Sequence, residues 1–160
     1  LMEGPGESVA DYMNELAARG TYTVRAETER KISEEFACGF CDDAGTKAAI
    51  AALFREKQYL LDTHTAVAWK VAEEYRAKTG SKTPLVVAST ASPFKFCKSV
   101  LEALGETEFA PGMGIIAQLA EKTGKHAPAP LSSLAGKAVR FTDVTGKDEM
   151  PQVVTEFLHA

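Results

Sequence analysis

"KTPLVVASTASPFKF", Lys82 to Phe96, decides how the rest of the chain is read. Pro84 to Ser89 is a continuous apolar run, not an alternating one, and Leu85 to Ala88 is its most apolar part. Runs of this kind belong to strands buried on both faces, as in parallel sheets flanked by helices. The run then empties into Thr90, followed by Ser92 and Pro93. Ser92 suits a helix N-cap, and Pro93 suits the first helical position, where a missing N–H costs nothing. Open α/β sheets bind ligands at the carboxyl ends of their strands. Thr90 has a hydroxyl that can donate or accept, so it is a candidate ligand contact. The plain alternative is a helix cap with no ligand.

Outward from that run the pattern is mostly helical. Leu1 to Gly6 contains Gly and Pro and is expected to be loose. Glu7 to Ala18 reads as a helix with Val9, Tyr12, Met13 and Leu16 on one stripe. Tyr22 to Val24 is a short extended piece. Glu27 to Cys38 reads as a second helix, with Ile32, Glu35 and Phe36 on one face and Gly39 as its cap. Asp42 and Asp43 stand where N-caps belong, ahead of a helix running to about Lys57 with Ile50, Leu53 and Phe54 inward. Asp62 or Thr63 caps a fourth helix through Thr79, and its Ala68, Val71, Ala72 and Tyr75 predict a buried stripe. Phe94 to Leu104 and Met113 to Lys122 are further helices, Ala138 to Phe141 a second short strand, and a last helix starts near Asp148 with Pro151 in its first turn. Met150, Val153, Val154 and Phe157 are its expected inner face. These elements predict one domain over residues 1–160, of helix-rich α/β class with a small, mostly parallel sheet. Either the helices layer over that sheet or further chain completes it.

Composition excludes several functions. The chain has 160 residues, 45% apolar and 25% charged, with a net charge of −4. No dense Lys/Arg stretch offers the basic face that sequence-independent nucleic-acid binding needs. No apolar run approaches the roughly 20 residues needed to span a bilayer, so no membrane partner is expected. The opening Leu1-Met2-Glu3 suggests a piece of something larger, and no leader indicates secretion. Three cysteines are too few and too odd in number for a disulfide framework, and a reducing cytoplasm is the simple reading.

Cys38-Gly39-Phe40-Cys41 is one candidate site. A zinc site needs four ligands, and here there is one cysteine pair with His64, His126 and His159 scattered, so no metal is expected. The pair closes a helix beside Asp42 and Asp43, whose charge disfavours thiolate. It is read as two small semi-buried residues at a helix–helix corner. Gly112-Met113-Gly114 lacks the preceding strand and third glycine of a dinucleotide fingerprint. Around His64, Asp62, Thr63 and Thr65 crowd a helix start, which capping alone explains, and no serine in a nucleophile elbow accompanies it.

Two blocks carry more. "YLLDTHTAVAWKVAEEYRAKTG", Tyr59 to Gly80, followed by "KTPLVVASTASPFKF", resembles the C-terminal part of the threonine synthase family of bacterial and fungal type. In that family a Leu-Asp-Pro-His-Thr-Ala-Val-Ala stretch opens a helix, and a buried strand ends in a Thr-Ala-x-Pro-x-Lys-Phe turn. The resemblance is most specific from Cys41 to Leu104 and extends more loosely over nearly the whole chain. Thr63 stands where the family has Pro, and Gly45 where it tends to carry a charged residue.

The resemblance implies the fold type II (tryptophan synthase beta-like) fold of pyridoxal-phosphate enzymes, and conversion of O-phospho-L-homoserine and water into L-threonine and phosphate. It implies that Thr90 faces the pyridine nitrogen of the cofactor. His64 and Lys95 fall in the family's motifs, as substrate or site-wall residues. Lys95 either attracts a phosphate or is a surface charge, and the second is favoured. The family's Schiff-base lysine and the Ser-Gly-Asn-Phe-Gly-Asn phosphate loop lie upstream, and none of Lys31, Lys47, Lys70 or Lys95 has the lysine's setting. The resemblance therefore implies an inactive C-terminal fragment whose partner is the N-terminal remainder of the enzyme, and which does not bind the cofactor by itself. A free-standing, non-catalytic α/β interaction module is the alternative.

Overall fold

The computed structural model describes residues 7–159, in which eight α-helices carry the architecture. The expectation for Leu1 to Gly6 lies outside the described residues. The helices are α1 (Glu7–Arg19), α2 (Ala26–Glu35), α3 (Asp43–Lys57), α4 (Thr63–Thr79), α5 (Cys97–Ala103), α6 (Gly114–Thr123), α7 (Ala129–Ser132) and α8 (Met150–His159). Short 3₁₀ turns lie at Pro93–Lys95, Ser133–Gly136 and Lys147–Glu149.

The α3–α4 hairpin organises the core. Asp42 caps α3 by accepting from the Gly45 amide at 2.7 Å. Asp62 caps α4 by accepting from the amides of His64 at 2.9 Å and Thr65 at 3.2 Å. These satisfy donors that a helix start leaves without intrahelical partners. At its other end α4 stops at Gly80, whose φ of +68° is a left-handed cap that glycine adopts without steric cost. Ile50 and Leu53 of α3, Ala66 of α4, Cys97, Val100 and Leu101 of α5, and Leu119 of α6 are buried together with Leu61 and Phe94. Lys47 Nζ and Glu102 Oε2 join α3 to α5 at 2.7 Å.

The expected α/β class is overturned: no strand occurs among the described residues. Residues 84–90 are extended, but a strand exists only when a neighbour pairs with its backbone, and none among the described residues does. Nor is the run buried on both faces. Leu85 and Val87 lie along α4 beside Trp69 and Ala72, and Arg76 Nη2 donates to the Thr83 carbonyl at 3.0 Å. Val86, on the opposite face, is 96% exposed. Residues 138–146 have no regular secondary structure and are exposed, so the second expected strand is also absent.

Four helical expectations change as well, the first being that Met150, Val153, Val154 and Phe157, the expected inner face of α8, are all exposed. The predicted α4 stripe is not the packed one: Thr65 and Ala66 are buried, while Ala68 and Tyr75 are exposed. The helix expected over Phe94 to Leu104 breaks into a 3₁₀ turn and then α5, with Phe96 between them outside helical backbone geometry. α2 ends at Glu35 and buries no residue, leaving Ile32 and Phe36 exposed.

Candidate functional site

Two non-adjacent segments meet at the start of α4. Asp62 is 1% exposed. A buried carboxylate is costly unless hydrogen bonds satisfy it. Its Oδ1 accepts the two capping amides, and its Oδ2 accepts a short hydrogen bond from the Thr65 hydroxyl. Thr65 Oγ1 in turn lies 3.2 Å from Ser89 Oγ, which ties α4 to the end of the extended segment 24 residues later. Beside this cluster the His64 ring packs on Phe96, with centroids 4.9 Å apart and planes tilted by 56°. The His64 imidazole is 69% exposed, and its Nδ1 stands 3.6 Å from Asp62 Oδ1, too far for a hydrogen bond.

Ser92 accepts from the Phe94 amide at 3.3 Å, so its expected capping role holds, although the element it caps is the 3₁₀ turn. Phe94 is the buried anchor of that turn. Lys95 points from the same turn and is exposed. Thr90 is exposed at the end of the extended segment. The structure thus brings His64 against Phe96, one residue from Lys95, and joins the two sequence blocks through Thr65 and Ser89.

Thr65 and Ser89 are the pair that sequence reasoning missed as partners. Their signal was present as a threonine three residues after a capping aspartate and a serine at the end of an apolar run. Their pairing is non-local and has no periodicity to reveal it. The pair lies at one end of an apolar cleft of about 320 Å³ walled by Leu53, Tyr59, Leu61, Trp69 and Val87. A polar hollow of about 280 Å³ opens nearby between Thr63, Lys98, Ser99 and the Lys47–Glu102 pair. The Glu102 carboxylate holds the Lys47 ammonium above the ordinary lysine pKa and is itself held below the ordinary carboxylate range by Lys47.

The cysteine pair sits differently from expectation. Cys38 is exposed in the loop after α2, and Cys41 is half-buried just ahead of α3, so the pair does not close a helix. Thr46 Oγ1 approaches Cys41 Sγ at 3.6 Å. Buried Cys97 has its thiol pKa pushed up by burial. Among the described residues no group of three or more His, Cys, Asp or Glu could hold a metal ion, and no helix is long and apolar enough to cross a membrane.

Residues 65–157 match the family described as "Threonine synthase, C-terminal". Threonine synthase of Corynebacterium glutamicum is 37% identical over 76 residues, which is 48% of this chain and 15% of that protein. Threonine synthase of Pseudomonas aeruginosa is 30% identical over 107 residues, or 66% of this chain and 22% of that protein. Threonine synthase-like 1 of Homo sapiens is 29% identical over 99 residues, or 62% of this chain and 13% of that protein. Among solved structures, PLP-bound threonine synthase from Brucella melitensis superposes with a TM-score of 0.69 at 28% identity, covering 95% of this chain and 28% of that one. The chain therefore spans a minor part of the length of each relative.

Proposed function

The chain belongs to the threonine synthase C-terminal family, and from that premise we propose that it serves as the C-terminal portion of a pyridoxal-phosphate-dependent threonine synthase. The reaction is the conversion of O-phospho-L-homoserine and water into L-threonine and phosphate. The observation that carries the reading is the family match over residues 65–157, which takes in α4 from Thr65 onward and the Thr90-to-Phe96 turn. In this role residues 1–160 act as a single domain whose partner is the N-terminal remainder of the enzyme.

Thr90 has the chemistry to meet the cofactor's ring. Thr90 offers a neutral hydroxyl, exposed at the end of the segment whose preceding residue is tied to α4. Pyridoxal phosphate, when bound, supplies the electron sink for carbanions at Cα and Cβ of the substrate. Thr90 would meet that ring as a hydrogen-bond partner without a charge, and so would not hold the ring nitrogen protonated as a carboxylate would. His64, braced on Phe96, forms part of the site wall. Lys95 is a surface charge at its edge. The reactive lysine and the cofactor's phosphate cradle come from the remainder, so this chain alone is inactive. Its unpaired thiols suit a reducing cytoplasm.

The test compares the isolated chain with the complete polypeptide that carries it, each given pyridoxal phosphate and O-phosphohomoserine. Phosphate release by the complete polypeptide and none by the chain alone is the expected result. Turnover by the isolated chain contradicts the division of labour, and no turnover by the complete polypeptide contradicts the assignment.

A further inference from the structure

We infer that Asp62 and Thr65 are positioning residues for the cofactor contact: their hydroxyl–carboxylate chain pins Ser89 to α4 and thereby turns Thr90 to the open face. The inference rests on the proposed role of Thr90.

Capping alone does not account for Asp62. One carboxylate oxygen accepts both helix-start amides. The other is committed to the Thr65 hydroxyl, and the whole side chain is buried. A capping aspartate at a solvent-exposed helix start, such as Asp42, needs none of this. The proton inventory then fixes the direction of the chain. A carboxylate only accepts, and a threonine hydroxyl has one proton to give. That proton goes to Asp62 Oδ2, so the 3.2 Å contact between Thr65 and Ser89 takes its proton from Ser89. Ser89 donates to Thr65 and Thr65 to Asp62, each bond polarised by the charge at the end.

Backbone alternation carries the effect one residue further. Successive side chains of an extended segment point to opposite faces. Leu85 and Val87 lie along α4, and Ser89 continues that face through Thr65. Val86 is on the other face, open to solvent, and Thr90 shares its parity. Holding Ser89 against Thr65 therefore keeps Thr90 on the side away from α4, the side proposed for the cofactor ring. Without these hydrogen bonds, Ser89 and Thr90 lie in an unpaired segment ahead of the 3₁₀ turn, where no other side-chain bond among the described residues fixes which of them faces α4.

The test uses the complete enzyme with bound pyridoxal phosphate and three variants, Thr65→Val, Thr65→Ser and Ser89→Ala. Thr65→Val keeps the shape and removes the hydroxyl, whereas Thr65→Ser keeps the hydroxyl. The expected result is an altered absorbance of the bound cofactor in Thr65→Val and in Ser89→Ala. Their kcat falls about tenfold, the effect of one lost hydrogen bond, with KM for phosphohomoserine little changed. The double variant is no worse than either single one, and Thr65→Ser restores both readouts. Should Thr65→Val fail to fold, Ser89→Ala decides alone, since Ser89 lies outside the buried core. Wild-type spectrum and kcat in Ser89→Ala, or Thr65→Ser as impaired as Thr65→Val, overturns the inference while leaving the assignment intact. A complete wild-type polypeptide that binds no pyridoxal phosphate overturns both.

Discussion

Residues 43–123 and residues 138–159 are both rich in apolar side chains, yet they use them in opposite ways. In the first region Ile50, Leu53, Ala66, Val100, Leu101 and Leu119 meet in one core. In the second, Val139, Phe141 and Val144 are exposed along irregular chain, and α8 leaves Met150, Val153, Val154, Phe157 and Leu158 exposed. The difference teaches that an amphipathic pattern specifies the element but not its partner. α8 is a well-formed amphipathic helix, and no residue in it is buried. Uncovered apolar stripes of this kind are the surfaces on which interactions form.

The core should depend far more on one leucine than the chain depends on any side chain of α8. Leu101→Ala lowers the stability of the 160-residue chain by about 2–5 kcal/mol, the range for emptying a fully buried leucine site. Phe157→Ala changes it by less than about 0.5 kcal/mol, as for a surface substitution. Urea denaturation of both variants measures the pair. Equal losses would mean that α8 already packs against the core.

A second, weaker contrast lies at the start of α3. Gly45 lies in the first turn of α3, where a Cβ would come within 2.7 Å of Cys41 Sγ. Replacing a helical glycine by alanine is ordinarily worth up to about 1 kcal/mol. Gly45→Ala should realise little of that gain in the native background and more of it once Cys41→Ala has removed the sulfur, with the Asp42 carboxylate, 3.1 Å from the new Cβ, still limiting it. A thermal-unfolding cycle over the four proteins reads the coupling, and additive effects would show that the sulfur does not constrain this turn.

The smallest effect is electrostatic. Glu102 has a lowered pKa because Lys47 favours its charged form. A carboxyl whose folded pKa lies below its unfolded value contributes stability above the unfolded value, and that contribution is lost as pH falls through the folded one. Lys47, raised by the same pair, contributes below the ordinary lysine pKa and loses its contribution as pH rises through the folded value. Glu102→Gln should therefore flatten a slight acid-side decline in stability and leave pH 6 to 8 featureless. The pair is partly exposed, so the effect is minor and shrinks in high salt.

Much of the helical architecture was legible because its signals are local. Asp42 and Asp62 marked the starts of α3 and α4 through capping chemistry, and Ile50 with Leu53 marked the buried face of α3. The stripe on α4 was misassigned because that helix carries apolar residues on more than one side, and tertiary packing selected Thr65 and Ala66 over Ala68 and Tyr75. Leu85 to Ala88 has the composition of a doubly buried strand, but burial and pairing depend on neighbours that a local run does not encode. Of the site, Thr90, His64 and Lys95 were named from motif residues. The bond that organises their surroundings, Thr65 to Ser89, joins positions with no periodic relation.

Hydrogen exchange on the isolated 160-residue chain tests the division between the two regions most directly. Amides inside α3, α5 and α6 and through the first half of α4 should exchange at rates set by global unfolding, while those of residues 84–90 and 138–146 and of α8 exchange far faster. Protection of residues 138–159 equal to that of α5 would contradict the account.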